Sequence, residues 1–370
     1  MRIAVIHHTG SFYSNYPLYI ASLIEEMAKA NESAVYDFRQ LKLSVAKPAA
    51  KTTIIHISLG AESRWRFYNS YKLQLPAILK KIKPDIVISL HGIVIKTTAV
   101  QFVVVPSFIQ SNGKGLHTWQ KTVSKQSKQY SLHTVKLLCQ SNIAKQYLQQ
   151  QYGKADTAVL FIPFSAEQIF QPLQWHDKIY IKGRFTENNE YFLAAMPYQD
   201  EALFTMLLKA FSVFKKWQQS SMRLVLLPFE DGFAPALEEK LETYKYKNHV
   251  TILNNADEKE TADIVATAYA YIAMNDTDED MQAVATALQC GLAITGISSK
   301  EIKEYAGDAA YLNNDFSYEE LGQSLITLYK DENLRSRLAE AALLRAENYK
   351  RSDIAENLWK LLTGNASAPL

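Results

Sequence analysis

The sequence alternates short apolar runs with longer amphipathic stretches, and this pattern constrains the fold more than any other feature. Arg2–His7, Ile86–Leu90 and Phe102–Val105 are brief runs rich in Ile and Val, which are typical of buried strands. Pro17–Ala30 carries apolar side chains at helical spacing, which predicts a helix. Strands that alternate with helices in this way predict an α/β protein with parallel sheets and helices on both faces.

The same alternation runs through the second half of the chain, and a length of 370 residues fits two or more domains. A proline-containing segment of weak periodicity, Pro163–Lys182, marks the junction. We therefore expect an N-terminal domain over 1–170, a C-terminal domain over 171–350, and a C-terminal helix in 351–370 that packs back toward the N-terminal domain. The expected fold is two doubly wound, Rossmann-like domains facing across a cleft, with ligands at the carboxyl ends of the strands.

Missing motifs exclude several enzyme classes. The sequence has no G-x-G-x-x-G after its first strand, no G-x-x-x-x-G-K-[ST], no H-E-x-x-H, no pair of C-x-x-C and no G-x-S-x-G. Dinucleotide enzymes, P-loop ATPases, zinc hydrolases and serine hydrolases are therefore not expected. Glycine is only 13 of 370 residues, about half its usual share. Two cysteines, no signal-peptide pattern and no long apolar stretch predict a cytoplasmic protein.

The two halves of the chain differ in net charge, because most of the acidic residues lie in the second half. Through Trp175 there are 20 Lys and Arg against 8 Asp and Glu, whereas the remainder has 20 against 30. One near-helical set of lysines comprises Lys114, Lys121, Lys125 and Lys128, and a second comprises Lys72, Lys80, Lys81 and Lys83. A solvated face and contact with an anionic membrane surface or acidic acceptor are both open interpretations. Nucleic-acid binding is not expected, because no recognised nucleic-acid motif accompanies the lysines.

Several segments share residue patterns with one known protein family. The segment between the two expected domains contains, in this order, Ser141, Tyr152-Gly153, Val159–Pro163 and Phe170–Pro172, and it resembles the interdomain segment of the family-4 glycosyltransferases. Further along, Ala287–Thr295 is similar to the family's EAMACG.PVI stretch, and Glu304–Ala310 is similar to its E..GDAA stretch. The resemblance covers nearly the whole chain and is weakest before Asp85. It implies the GT-B architecture and transfer of a sugar from a nucleotide-diphosphate donor.

The chain departs from the family pattern where the donor phosphates would bind. The loop after the first strand has a single glycine, Gly10, and the segment around Tyr198 lacks the Arg and Lys that would face the leaving diphosphate. The Asn-Gly of the hinge is replaced by Phe164-Ser165, and the two positions of the E-x7-E motif hold Asp278 and Thr286. Departure of a diphosphate needs positive charge or oriented amides, so a degenerate site is an open alternative.

The resemblance implies which residues form the site. His91 and Asp278 are the expected catalytic residues, although a structural histidine at a strand end is the alternative for His91. The donor is expected to contact Thr9, Gly10, Tyr198, Leu253, Asn254, Asp276 and Thr286. No metal is expected, and the nucleotide sugar takes the place of a cofactor. For the acidic run Asp276–Asp280, carboxylates lining the cleft, a solvated loop and ligands of Mg²⁺ or Mn²⁺ remain open.

Two hypotheses of function follow. The first is a glycosyltransferase of polysaccharide biosynthesis that moves a sugar to a glycan or lipid acceptor, with retention at the anomeric carbon. The second is a GT-B protein that has lost turnover and serves as a partner subunit or glycan-binding module. No sequence feature favours a GT-B epimerase or phosphorylase. The expected location is the cytoplasm, with peripheral contact at the inner face of the membrane.

Overall fold

The computed structural model describes residues 1–9, 15–37, 42–45, 52–60, 69–109, 118–196, 200–228, 235–254, 256–313 and 317–364. The chain forms two compact units. Unit 1 comprises Met1–Phe164 and the C-terminal segment that begins at Ser352, and unit 2 comprises Ser165–Arg351. The domain boundaries expected from the sequence, 1–170, 171–350 and 351–370, stay a prediction.

Unit 1 is built on an eight-stranded sheet. Its strand order is β3-β2-β4-β1-β5-β6-β7-β8, and all neighbours are parallel except β2 and β3. The strands are β1 Arg2–Thr9, β2 Ala34–Asp37, β3 Lys42–Val45, β4 Thr53–Gly60, β5 Ile86–Ser89, β6 Val100–Val104, β7 Val135–Cys139 and β8 Val159–Phe161.

Helices cover this sheet because its central strands are apolar on both sides. Val87 and Val103, for example, are fully buried. The described helices that follow the sequence through unit 1 are α1 Asn15–Ala30, α2 Leu75–Ile82, α3 Thr118–Gln126 and α4 Asn142–Tyr152. A π-helix, Asn69–Gln74, leads directly into α2. Buried strands with polar residues confined to the strand ends are typical of α/β sheets, so the chemistry of the unit is expected at the edges.

Two buried tyrosines of α1 fix the end of the unit 1 sheet. Tyr16 donates a hydrogen bond to the carbonyl of Ile162 at 2.9 Å, and Tyr19 donates one to the carbonyl of Pro163 at 2.9 Å. Both rings also pack on Phe164, with centroids 5.2 Å away. The backbone that follows β8 is therefore held against α1 up to the last residue of the first segment of unit 1.

Unit 2 has a six-stranded sheet of order β11-β10-β9-β12-β13-β14, in which every neighbouring pair is parallel. The strands are β9 Tyr191–Met196, β10 Arg223–Pro228, β11 Val250–Ile252, β12 Ala270–Ala273, β13 Ile294–Gly296 and β14 Ala310–Leu312. The described helices of unit 2 are α5 Trp175–Phe185, α6 Glu201–Gln218, α7 Pro235–Glu242, α8 Glu258–Thr267, α9 Asp278–Gln289, α10 Lys300–Ala306, α11 Tyr318–Lys330 and α12 Glu332–Ala346. The last helix, α13 Arg351–Thr363, belongs to unit 1 except for its first residue.

The predicted fold class is correct, and four local expectations need correction. Helix α5 begins inside the segment Pro163–Lys182, for which no regular structure was expected, and β3 was not predicted. The sequence pattern of Glu62–Lys83 predicts a helix that is kinked or restarts at Pro76, and its described part is a π-helix followed by α2. The pattern also predicts a helix from Met281, but α9 begins at Asp278. Within the described residues, no helix has the length and apolar character needed to cross a membrane.

Helices α6 and α11 approach closely in the core of unit 2, and Gly322 makes this approach possible. A Cβ atom on Gly322 would lie 2.7 Å from the Cβ of Val213 and 2.9 Å from the carbonyl oxygen of Ala210. Contacts this short would force the two helices apart. Phe204, Phe211 and Phe214 of α6 are fully buried in the same core, so a shift of α6 would disturb the whole layer.

We predict that Gly322→Ala destabilises the protein by about 1–3 kcal/mol, the usual effect of overpacking a core. Alanine in place of a helical glycine would otherwise stabilise by about 0.5–1 kcal/mol. Gly183→Ala in α5 is the matched control, because its Cβ meets the side-chain oxygen of Asn188 at 3.1 Å, which can rotate away. Urea denaturation measures both variants. Equal midpoints for the two variants would contradict this account of the helix contact.

Candidate functional site

Each sheet has a topological switch point, where the chain turns from one side of the sheet to the other. In unit 1 the switch point lies between β1 and β5, which are hydrogen-bonded neighbours. In unit 2 it lies between β9 and β12. Ligands of open α/β sheets bind at the carboxyl ends of the strands beside a switch point. The residues that follow these four strands are therefore the candidates for a functional site.

His91 lies at the switch point of unit 1 in a rigid turn after β5. Its side chain is buried, with 3% of its surface exposed. The next residue, Gly92, has φ +68°, and a Cβ there would come within 2.8 Å of both Pro106 and the hydroxyl of Tyr130. Tyr130 donates a hydrogen bond to the carbonyl of Gly92 at 2.7 Å. Only glycine fits this turn, so the backbone that carries His91 is fixed.

Thr9 is the last residue of β1, next to β5 at the same edge of the sheet. The backbone of Thr9 therefore lies at the switch point of unit 1. Gly10, Tyr198 and Lys114 lie outside the described residues. The roles assigned to all four from the sequence stay predictions.

Unit 1 contains a pair of histidines, the buried His56 and the half-buried His7, that was not expected from the sequence. Nε2 of His7 lies 2.5 Å from Nδ1 of His56, and Nε2 of His56 lies 3.9 Å from a carboxylate oxygen of Glu25. His7 is on β1 and His56 is on the neighbouring β4, whereas Glu25 is on α1. A hydrogen bond between two imidazoles requires one nitrogen to donate and the other to accept, so the shared position holds one proton. No sequence motif signals this pair, because it depends on which strands are neighbours.

In unit 2, α9 begins at the switch point directly after β12. A capping box starts the helix: the side chain of Thr277 accepts from the backbone amide of Asp280, and the side chain of Asp280 accepts from the backbone amide of Thr277. Asp278, the first helical residue, has 1% of its surface exposed. The expected catalytic carboxylate is therefore buried at the edge of the sheet, on a helix rather than in the loop before it.

Asp280 is a second buried carboxyl group, which the sequence did not single out. One oxygen accepts from the hydroxyl of Thr277 at 2.5 Å, while the other has no hydrogen-bond partner among the described residues. Burial, with smaller contributions from Glu279 and Asp276, raises the pKa of Asp280 from 3.8 to about 7. Asp280 in turn adds to the effect of burial in raising the pKa of Tyr271 on β12. A carboxyl group beside the candidate site is therefore protonated in mildly acidic solution.

Thr286 and Asp276 are the other expected donor contacts on this side of the sheet. The half-buried Thr286 donates its hydroxyl hydrogen to the carbonyl of Gln282 at 2.9 Å, so its oxygen remains available only as an acceptor. Asp276 is exposed and faces Glu301 of α10. Burial and the charges of Asp276 and Glu304 raise the pKa of Glu301, while Lys300 opposes them. Glu301 thus joins the acidic group, although no motif identified it.

Leu253 and Asn254 follow β11, on the far side of the same edge. The amide of Leu253 donates to the carbonyl of Leu226 at 3.0 Å, which continues the pairing with β10. β11 is three strands from β12, so these residues lie about 14 Å from the start of α9 at the usual strand spacing. They share an edge with Asp278 but do not form one cluster with it, and Thr286 lies eight residues, about 12 Å, further along α9. Three or more His, Cys, Asp or Glu side chains arranged as metal ligands do not occur within the described residues.

The carboxyl edge of unit 2 is acidic. In the sequence, the six connections between a strand of unit 2 and the next helix contain no Lys or Arg. They do contain six acidic residues, which are Asp200, Glu230, Asp231, Asp257, Asp276 and Asp315. The first turn of α9 adds three more. An anionic ligand at this edge must therefore rely on backbone amides rather than on basic side chains.

Comparisons with known proteins find similarity in structure and not in sequence. No protein-family model matches the chain, and no curated protein matches it in sequence. WaaG, a glycosyltransferase of lipopolysaccharide biosynthesis, has 13% identity and a TM-score of 0.73, covering 98% of this chain and 100% of WaaG. Sucrose-phosphate synthase from Thermosynechococcus elongatus has 14% identity and a TM-score of 0.72, with 99% and 100% covered. HepE from Anabaena, in complex with UDP-glucose, has 10% identity and a TM-score of 0.71, with 98% and 100% covered.

The chain has the GT-B fold. The predicted architecture is therefore confirmed over nearly the whole length, including the region before Asp85 where the sequence resemblance is weakest. The proteins that share this fold include a glycosyltransferase and a protein whose structure contains bound UDP-glucose. A fold is compatible with many activities, so the function depends on the residues at the two switch points.

We predict that Asp280→Asn changes how the stability of the protein depends on pH. The pKa of Asp280 is about 7 in the folded chain and 3.8 in the unfolded chain. Between these two values the folded chain keeps a proton on Asp280 that the unfolded chain has lost, so the free energy of unfolding falls as the pH rises from about 4 to 7. The fall from this group is about 4 kcal/mol. An asparagine side chain has no titrating proton but can still accept the hydrogen bond from the amide of Thr277. The variant therefore lacks this loss of stability, and the free energy that it gains over the unmodified protein is larger at pH 8 than at pH 5.

Urea denaturation at the two pH values measures the effect. Asp276→Asn, an exposed carboxylate of the same loop, is the control and retains most of the dependence. An Asp280→Asn variant with the same pH dependence as the unmodified protein would contradict a raised pKa at this position.

Proposed function

We propose that the chain is a glycosyltransferase that moves a sugar from a nucleotide-diphosphate donor to a glycan or lipid acceptor. The observation that carries the proposal is the GT-B fold, which the chain shares with a glycosyltransferase over 98% of its length. The same fold in HepE binds UDP-glucose. In each unit, moreover, residues expected from the sequence follow strands at a switch point, which is where such sheets bind ligands.

In the proposed complex, unit 2 holds the donor. The buried carboxylate of Asp278 accepts a hydrogen bond from a hydroxyl of the sugar. Thr286 accepts one from the ribose, since its own hydrogen is already donated to Gln282. Leu253 and Asn254 lie beside the base, about 14 Å from the start of α9, a distance that an extended nucleotide sugar spans. The further donor contacts in unit 2 are Tyr198 and Asp276.

Unit 1 contributes His91, Thr9 and Gly10 to the reaction. An imidazole donates hydrogen bonds to sugar hydroxyls and phosphate oxygens and changes charge near neutral pH. The rigid turn at Gly92 supports a catalytic role for His91, because a donor held in place before the reaction stabilises developing charge without reorganisation. Retention at the anomeric carbon is proposed from the family resemblance.

Helix N-termini compensate for the missing basic residues in this proposal. Helices α6 and α9 begin at the carboxyl edge of unit 2, after the two strands that flank the switch point. Their first amides carry partial positive charge, which favours phosphate groups. The leaving diphosphate is accordingly stabilised by backbone dipoles rather than by the Arg and Lys of the related family.

The acceptor is a glycan or a lipid, and a lipid acceptor would bring the protein to the cytoplasmic face of a membrane. Lys121, Lys125 and Lys128 of unit 1 are exposed, as peripheral contact with anionic lipids requires. Lys114 completes this set in the sequence. Nucleic acid is not a proposed partner.

The acidic edge of unit 2 favours a second candidate function. Six acidic residues and no basic residue in the strand-to-helix connections repel a diphosphate, whereas carboxylates accept hydrogen bonds from the hydroxyls of a neutral glycan. A GT-B protein without turnover that binds glycans or a partner enzyme would therefore suit this charge. Binding of nucleotides separates the two candidates.

We predict that Asp278→Asn lowers kcat/KM about ten- to a hundredfold in assays with UDP- and GDP-sugars. A hydrogen bond to a charged group contributes about 1.5–3 kcal/mol, which corresponds to a loss of this size. Circular dichroism checks that the variant is folded. Unchanged kcat/KM in a folded variant would remove Asp278 from the site.

We predict that Thr286→Glu binds UDP or GDP about tenfold more tightly than the unmodified chain, because a carboxylate accepts from both ribose hydroxyls. Isothermal titration calorimetry measures the affinity. Thr327→Glu on α11 is the matched control, since Thr327 is also a half-buried helical threonine that donates to the carbonyl four residues earlier. If neither nucleotide binds the unmodified chain or Thr286→Glu while neutral glycans do bind, the transferase is excluded in favour of the second candidate.

A further inference from the structure

Unit 1 contains a large cavity at the edge opposite to Thr9 and His91. Its volume is about 1240 Å³. Residues that immediately precede three strands line it: Lys83 and Pro84 before β5, Thr98 before β6, and Thr134 before β7. The cavity therefore lies at the amino-terminal edge of the sheet, away from the candidate catalytic residues. We call it the amino-edge pocket.

The walls of the pocket are more apolar than polar, with Thr97, Gln126, Gln129 and Thr134 interspersed among the apolar side chains. Tyr71, Leu79, Ile93, Val94 and Ile95 line it and are all buried. The backbone of Ile95 donates to the side-chain oxygen of Gln101 at 2.8 Å and accepts from its nitrogen at 2.7 Å. This buried pair of hydrogen bonds holds the connection between β5 and β6 against the start of β6. The pocket is thus formed by the fold itself and needs no movement to open.

The rim of the pocket is basic. Lys72, Lys80, Lys83 and Lys96 line it and are exposed, and no acidic residue is among its lining residues in the described chain. None of the four ammonium groups forms an ion pair within the described residues. Four like charges around one opening repel one another, and an anion bound there relieves the repulsion. The charge of the rim therefore selects an anionic group.

The combination of apolar walls and basic rim selects an amphiphile. Pockets for small molecules and cofactors have volumes of about 300–1,000 Å³, and this pocket is larger. Leu132 lines the opening with 49% of its surface exposed, and Leu73 beside Lys72 has 60% exposed. Exposed leucines beside lysines are typical of surfaces that meet lipid. An inorganic anion or a phosphosugar would leave the exposed Leu132 at the opening in contact with water.

We propose that the amino-edge pocket binds a lipid that carries a phosphate group. The phosphate lies among Lys72, Lys80, Lys83 and Lys96, and the hydrocarbon chains lie against the apolar walls. This site is separate from the switch-point residues, so it does not depend on the transferase proposal. It would hold the protein at a membrane whether or not the chain turns over a nucleotide sugar.

The first test uses the full chain and dihexanoyl phosphatidic acid below its critical micelle concentration, with affinity measured by calorimetry. The unmodified protein binds it, whereas inorganic phosphate and glycerol 3-phosphate do not compete at the same concentration. Lys80→Gln/Lys83→Gln weakens binding roughly 25-fold, at about fivefold for each exposed lysine. Lys29→Gln/Lys81→Gln removes the same net charge from exposed lysines of unit 1 that do not line the pocket, and it retains the affinity.

The second test fills the pocket without touching its walls. Thr98 is an exposed lining residue, so Thr98→Trp places a large ring in the opening and leaves the core intact. The variant keeps its melting temperature and loses lipid binding. If Lys80→Gln/Lys83→Gln and Lys29→Gln/Lys81→Gln weaken lipid binding equally, the effect is one of general charge and the proposal is overturned. Phosphate or glycerol 3-phosphate binding as tightly as the lipid would also overturn it, as would a Thr98→Trp variant that binds lipid normally. Nucleotide binding is unaffected in every variant, which separates this proposal from the transferase.

Discussion

Burial of parallel strands on both faces is the constraint on which the rest of the structure depends. Val87 and Val103 in unit 1, and Phe192 and Ile272 in unit 2, are fully buried, so helices must cover each side of each sheet. Polar and charged residues are then confined to the connections at the two edges. Since parallel strands all end at the same edge, residues distant in sequence, such as those after β9 and β12, become neighbours there. The candidate sites follow from this arrangement.

Charge separates the two units more sharply than the nearly neutral total suggests. The net charge is +2, yet the strand-to-helix connections of unit 2 contain only acidic charges, whereas the amino-edge pocket of unit 1 has only lysines. Each unit therefore offers a different chemistry. Buried carboxyl groups at Asp278 and Asp280 suit sugar hydroxyls, and their burial keeps Asp280 protonated up to about pH 7. In the strand-to-helix connections of unit 2, a phosphate-bearing molecule would meet backbone amides and no basic side chain, whereas four lysines surround the amino-edge pocket of unit 1.

The sequence was sufficient to predict the fold class and the helix starts with a clear cap. Asp257 and Glu260, and Ser317 and Glu320, have capping-box spacing in the sequence, and Asp257 and Ser317 do cap α8 and α11. The spacing of Ser298 and Glu301 predicts a cap as well, but Ser299 caps α10 instead. Lys72, Lys80 and Lys83 form one set in the sequence, whereas the position of Lys96 beside them and the pairing of His7 with His56 depend on how the sheet brings strands and connections together.

A structure of the chain crystallised with UDP-glucose or another nucleotide sugar at saturating concentration would test the central claim most directly. The account predicts density for the nucleotide at the carboxyl edge of unit 2, with the ribose within hydrogen-bond distance of Thr286 and the sugar beside Asp278. Density for the nucleotide at another place on the chain would contradict it. So would a chain that binds a neutral glycan at this edge but shows no density for a nucleotide sugar supplied at saturating concentration.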